Sequence, residues 1–178
     1  MMSEKNEQIV VVREVRIGDA EDVLTIQREV VGERDYFIAV SEEFNKTTEE
    51  HQEWIQKIIE HERETMFVAE LDGKVAGWIV FKSQERKRMH HTGSFAVMIK
   101  KDYRNKGIGK LLINELLHWA QQHPIIEKVS LGTFSTNTRA IELYKKLGFV
   151  EEGRKINEFK FSENEYVDDV LMYKLVKG

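Results

Sequence analysis

The chain has 178 residues, 41% hydrophobic and 33% charged with a single proline, which is enough for one well-cored domain over 1–178 and offers no linker at which to divide it. With 27 basic against 31 acidic residues the formal charge is −4, so no global field draws it to nucleic acid or to an anionic membrane. No apolar run approaches the ~18 residues of a membrane span, and a chain with no cysteine has no disulfide, thiolate metal site or cysteine acyl-enzyme.

Met1 to Gln8 is polar and lacks the apolar segment of a secretory signal, so a cytoplasmic protein is expected. Ile9 to Val15 is a β-branched run and reads as the first strand. Asp19 then supplies an N-cap for a helix with Val23, Ile26 and Val30 on its apolar face. Past Gly32 the stretch Glu33-Arg34-Asp35-Tyr36-Phe37 is irregular. Thr47-x-x-Glu50 is a capping box that opens a second helix, with Trp54, Ile55, Ile58 and Ile59 expected inside. Met66 to Leu71 and Val75 to Phe81 flank Asp72-Gly73 and predict a hairpin, in which Gly77 marks either a bulge or a crowded neighbour. The cluster Lys82, Arg86, Lys87 and Arg88 reads as a solvated loop between strands.

The apolar run Phe95 to Ile99 comes next, as a fourth strand. A short charged turn follows, then Gly107-Ile108-Gly109, then a helical pattern of Ile108, Leu111, Leu112, Leu116 and Ala120 that ends before Pro124. Lys128 to Phe134 is a fifth strand. Asn137 opens a helix that stops with Gly148 in the C′ position, and Phe149 to Phe161 and Tyr166 to Val176 are two strands joined near Ser162-Glu163-Asn164.

Strand, glycine turn and helix in succession form a phosphate cradle: glycine lets the backbone approach a ligand, and the first N–H groups of a helix are unpaired where its dipole favours negative charge. A dinucleotide fingerprint would need a third glycine where Leu112 stands. A nucleoside triphosphate loop would need glycine at Arg104 and a hydroxyl after Lys110, where the chain has Leu111. What remains, Arg104-x-x-Gly107-x-Gly109 directly after a strand, resembles the acetyl-coenzyme A pyrophosphate loop of the GNAT superfamily of N-acetyltransferases. The segment Asn137-Thr138-Arg139-Ala140-Ile141-Glu142-Leu143-Tyr144-Lys145-Lys146-Leu147-Gly148-Phe149 resembles the second hallmark of that family, in the family order. The resemblance runs from about Met66 to the C-terminus and is weaker upstream. It implies an α/β (α+β) fold: a mixed, mostly antiparallel twisted sheet, splayed between the fourth and fifth strands, with helices on both faces.

The resemblance also implies the chemistry, an acetyl group passing directly from acetyl-coenzyme A, as co-substrate, to an amine. Arg104 and the backbone of Asn105, Lys106, Gly107, Ile108, Gly109 and Lys110 would take the pyrophosphate. The backbone of Val97, Met98 and Ile99 would pair with the pantetheine arm, an N–H near Val97 would hold the oxyanion, and Asn137 would bond the pantetheine. Tyr144 matches the family's general acid; with an ordinary pKa near ~10 a tyrosine can protonate a departing thiolate. A glutamate is often found where this chain has Ser94 or Gly132, and neither is a base. The base is left among Glu33, Asp35, His90, His91 or a chain of waters, and no His/Cys/Asp spacing supports a metal site.

An acetyltransferase is thus expected, with a non-catalytic acyl-coenzyme A sensor or scaffold as the alternative, motivated by Ser94 and Gly132; Asn137 and Tyr144 together favour the enzyme. The tail from Gly153, ending in Tyr166-Val167-Asp168-Asp169, resembles the branch that holds ribosomal-protein and polyamine N-acetyltransferases, which implies a homodimer. Glu29, Glu33, Asp35, Glu42 and Glu43 outnumber Arg28 and Arg34 in the segment expected to border the acceptor, among Tyr36, Phe37 and Phe44. That composition would suit a small cationic amine or a peptide N-terminus.

Overall fold

Helices cover both faces of a seven-stranded sheet in the computed structural model, which describes residues 8–178. The polar run expected to lack a signal sequence falls, except for Gln8, outside the described residues. The elements are β1 (Val10–Glu14), α1 (Ala20–Gly32), α2 (Thr48–Glu60), β2 (Thr65–Leu71), β3 (Lys74–Ser83), β4 (Thr92–Ile99), α3 (Ile108–Gln122), β5 (Lys128–Phe134), α4 (Thr138–Lys146), β6 (Val150–Ser162) and β7 (Glu165–Leu175). This is the expected order. The strands lie side by side as β1-β2-β3-β4-β5-β7-β6, antiparallel throughout except for β4 with β5.

The period of two along each strand sorts the apolar residues into two cores. Phe67 and Ala69 of β2, Ile79 and Phe81 of β3 and Phe95 of β4 pack under α3, against Ile108, Leu112, Ile113 and Leu116. Their neighbours Met66, Val68, Trp78, Val80 and Met98 pack on the other face against Val23, Ile26 and Val30 of α1 and Ile55 and Ile58 of α2. The central strands are therefore nearly continuous apolar runs, as strands covered on both faces must be.

Local chemistry sets most of the boundaries. Asp72 and Gly73 both have positive φ, the two-residue turn whose twist suits a hairpin. At Thr47 the capping box forms both ways: its hydroxyl accepts from the Glu50 N–H at 3.2 Å, and the Glu50 carboxylate accepts from the Thr47 N–H at 2.8 Å. Both readings of Gly77 hold. The β2–β3 register slips beside it, and a Cβ there would stand 2.9 Å from the Met98 carbonyl oxygen.

Three expectations differ. Asp19 stands at the N-cap of α1, but its carboxylate accepts from the Arg16 N–H at 2.7 Å and from Arg13 at 2.8 and 2.9 Å, bracing the turn before the helix and not its first N–H groups. Ile59 is 51% exposed, because the helical period that buries Ile55 and Ile58 turns it to solvent. The fourth strand begins at Thr92, ahead of its apolar run: Gly93 pairs with Ser83 where a side chain would overlap the Phe81 ring.

Candidate active site

β4 and β5 pair only from Thr92 to Ser94, against Lys128 to Ser130. Beyond Ser94 the two strands are no longer paired. The edge of β4 from Phe95 to Ile99 is left facing a cleft of about 960 Å³. Gathered on its walls are the predicted Val97, Met98, Ile99, Arg104, Asn105, Gly107, Ile108, Gly109, Lys110, Asn137 and Tyr144. Lys106 is the exception; its ammonium reaches the Gln8 side chain at 3.1 Å.

The N-terminus of α3 opens onto this cleft. Its N-cap is Gly107, at φ 77°, and no side chain caps the helix, so its first N–H groups keep the capacity to bind an anion. Asn105 also has positive φ, and such left-handed residues turn successive N–H groups toward one point. Nothing lies within 4 Å of a Cβ built at Gly107, which stands against open space. At Gly109 a Cβ would meet Ile99 Cδ1 at 3.1 Å and Leu143 Cδ2 at 3.8 Å. Gly109, also on the cleft wall, thus serves the contact of α3 with β4 as well, and Gly107 is the glycine with open space beside it.

Arg104 is held from the other direction. Its guanidinium forks onto Glu33 with two bonds of 2.7 Å, and its Nε–H donates to the Ile99 carbonyl at 3.1 Å, tying the glycine loop to the end of α1. Both Glu33 oxygens therefore already hold a guanidinium N–H. Of the other base candidates, Asp35 is exposed and neither it nor His90 or His91 lines the cleft; the His90 Nε2–H donates to the Glu85 carbonyl.

Tyr144 comes from the last turn of α4, its ring edge-on to Phe95 and Phe149 at 5.9 and 6.1 Å. Burial pushes its phenol up to about 12, so the hydroxyl stays protonated at neutral pH. Two turns earlier the Asn137 side chain accepts from the Ala140 N–H at 3.4 Å and fixes where α4 begins. Opposite them, the acceptor-side carboxylates are mostly engaged: Glu42 pairs with Arg34, Glu29 with Lys100 and Glu33 with Arg104. Tyr36, Phe37 and Ile38 of that segment line the cleft.

One carboxylate there was not singled out from sequence. Asp169 of β7 lies on the cleft wall beside Gly132, and a Cβ built on Gly132 would be 2.9 Å from Asp169 Oδ1. Burial pushes its carboxyl above the ordinary range, with Glu158 adding and Lys155 opposing. Phe134 and Phe159, in contact at 4.6 Å, are on the same wall. Among the described residues no group of three or more His, Cys, Asp or Glu side chains could hold a metal ion, and no helix is long and apolar enough to cross a membrane.

A seven-stranded sheet parted between β4 and β5, with a glycine-opened helix at the split, defines the acyl-coenzyme A acetyltransferase class of fold. The model of the acetyltransferase (GNAT) family matches residues 33–149, and the chain belongs to that family. It is 31% identical over 134 residues to spermidine N(1)-acetyltransferase of Vibrio cholerae, covering 75% of this chain and 76% of the relative. It is 27% identical over 122 residues to the L-amino acid N-acetyltransferase AaaT of Escherichia coli, covering 68% and 75%. A GNAT-family acetyltransferase from Streptococcus pneumoniae superposes with a TM-score of 0.88 at 31% identity, over 94% of this chain and 99% of that one. The fold is shared as well by yncA of Salmonella typhimurium, solved with acetyl-coenzyme A, with a TM-score of 0.84 at 20% identity over 94% of each chain.

Proposed function

We propose that this acetyltransferase moves an acetyl group from acetyl-coenzyme A to a primary amine, by direct attack, the acceptor being a small cationic amine or a peptide N-terminus. The observation that carries the reading is the parting of β4 from β5 beside an uncapped helix N-terminus, with Tyr144 on the wall between them. Acetyl-coenzyme A, when bound, supplies the acyl group as a thioester. N–H groups from Asn105 to Lys110 bind its diphosphate, and Arg104 positions that loop through Glu33. The free edge of β4 at Val97, Met98 and Ile99 pairs with an amide-bearing arm as a neighbouring strand would, and an N–H near Val97 stabilises negative charge on the carbonyl oxygen. Asn137 orders the start of α4, and Tyr144 gives its proton to the departing sulfur.

The names of two relatives support an amine acceptor, since both an L-amino acid and spermidine are amines. Aromatic residues on the cleft wall, Tyr36, Phe37, Phe134 and Phe159, suit a cation. The test is release of free coenzyme A thiol from acetyl-coenzyme A with a panel of spermidine, neutral and acidic amino acids and peptides with a free N-terminus. Turnover with spermidine or a peptide is expected to exceed that with the acidic amino acids. Faster turnover of acidic amino acids would overturn the acceptor reading, and no thiol release with any amine would overturn the enzyme reading itself.

A further inference from the structure

We propose that Asp169 is the general base: it receives the acceptor's ammonium group in the cleft and takes its proton. The inference rests on the acetyl-transfer reading above and names the residue that makes the amine nucleophilic.

Three carboxylates line the cleft: Glu33, Glu142 and Asp169. Glu33 has both oxygens occupied by Arg104, and Glu142 is exposed on α4, where Arg139 and Lys146 also line the cleft. Asp169 differs from both. It is half-buried, and among the described residues no lysine or arginine forms an ion pair with it. Its position follows from the β5–β7 register, in which Phe134 faces Asp169 and Gly132 faces Leu171. Residues paired across a ladder point to one face, so the Asp169 carboxylate and the missing Gly132 side chain share the same side of the sheet. With glycine there, Oδ1 occupies space that any side chain at 132 would claim. Tyr144 packs with Val170 and Met172 in the core on the opposite side of these strands. An acid and a base thus reach one cleft from opposite faces of the sheet.

The charged groups facing Asp169 are few. On β6 its partner is Lys155, itself 3.6 Å from Glu158; β5 presents only Gly132 and Phe134, and on its own strand Asp168 accepts the Asn157 N–H. With little compensating charge, partial burial makes this carboxylate a stronger base than an exposed one, which is what removal of a proton from an ammonium near neutral pH requires. The proton count closes. One ammonium N–H bond breaks as an O–H bond forms on Asp169, and the freed lone pair makes the N–C bond while the thioester C–S bond breaks. Tyr144 protonates the sulfur and is reprotonated by the second proton that the nitrogen loses, and Asp169 returns its proton to solvent.

The test is Asp169→Asn, assayed with acetyl-coenzyme A and each amine of the panel that the wild type acetylates. Expected is a fall in kcat/KM of about 100-fold or more at neutral pH, with the donor dissociation constant by calorimetry unchanged. The pH profile is the second readout. Wild-type kcat/KM should level off above the Asp169 titration, whereas the variant should keep rising about ten-fold per pH unit, as the amine must then arrive already neutral. Gly132→Ala is an independent variant: its φ is ordinary, and its methyl would displace the carboxylate while leaving the donor cradle alone, so it should also lose kcat/KM with donor affinity intact. Activity of Asp169→Asn within about three-fold of wild type, or a loss with an unchanged pH profile or a matching loss of donor affinity, would overturn the assignment. A wild type inactive with every amine would overturn the underlying reading and this assignment with it.

Discussion

Tyr144→Phe isolates one oxygen atom. The ring would keep its contacts with Phe95 and Phe149, so the melting temperature should stay within about 2 °C of wild type. Burial that moves the phenol from 10.0 to about 12 disfavours the tyrosinate by on the order of 3 kcal/mol, at 1.36 kcal/mol per unit. That shift does not disqualify the residue as an acid. The same water-poor cleft raises the proton affinity of a departing thiolate, and transfer depends on the difference between the two. The sign of the linkage is definite. With the folded-state value raised, stability from the neutral hydroxyl is complete below about 10 and lost as pH rises toward about 12, so Tyr144 should place no limb on the activity profile below about pH 10. The expected result is a kcat lowered at least ten-fold, within the range of general acid catalysis, with the acetyl-coenzyme A dissociation constant unchanged. Unchanged turnover, or a loss of donor affinity equal to the loss of rate, would remove Tyr144 from proton transfer.

The cradle is tested at Gly107, since Gly109→Val would also disturb the contact with Ile99. Gly107→Val projects into open space from a left-handed backbone, and should raise the donor dissociation constant at least ten-fold in calorimetry while circular dichroism still reports a folded protein. Normal binding by a folded variant would refute the assignment. Glu33→Gln unpairs the partly buried Arg104 fork at a cost of about 1–3 kcal/mol, a fall in melting temperature of several degrees, and should weaken donor binding because the loop loses its brace. Donor affinity unchanged in that variant would mean that the ion pair does not position the loop. A homodimer is expected by light scattering at micromolar concentration. The outer strand β6 is an open edge carrying Val150, Ile156 and Phe161 exposed, and a monomeric mass would count against it.

The fold was legible because its signals are local. The Asp72-Gly73 turn, the Thr47 box, the apolar runs of β2 to β5 and the glycine at the end of α4 each act within a few residues, and the two motifs together place the cleft. What was not legible depends on partners far along the chain. Arg104 reads only as a phosphate ligand, and its fork onto Glu33, 71 residues earlier, is not visible in the sequence. Gly109 reads only as part of the cradle, and its contact with Ile99 of β4 is not visible in the sequence. The acidic excess between Glu29 and Phe44 reads as an acceptor surface, but Arg34, Lys100 and Arg104 engage three of its carboxylates. Asp168-Asp169 is read as part of a tail because no spacing in the sequence reveals that β7 lies next to β5, inside β6.

That adjacency couples the chemistry to the register of the sheet. Val170 and Met172 are fully buried under α3 and α4, while Asp169 and Leu171, one residue out of phase, point to the other face. A slip of β7 by one residue would turn the carboxylate into the core and the two apolar side chains toward solvent, and an unpaired buried charge costs several kcal/mol. The hydrophobic pattern of β7 therefore fixes not only its own burial but also the side of the cleft on which Asp169 stands. Gly132 completes the arrangement by leaving the space beside that carboxylate clear. A carboxylate need not come from the strand that carries the cleft edge if the neighbouring strand is held in register by its core.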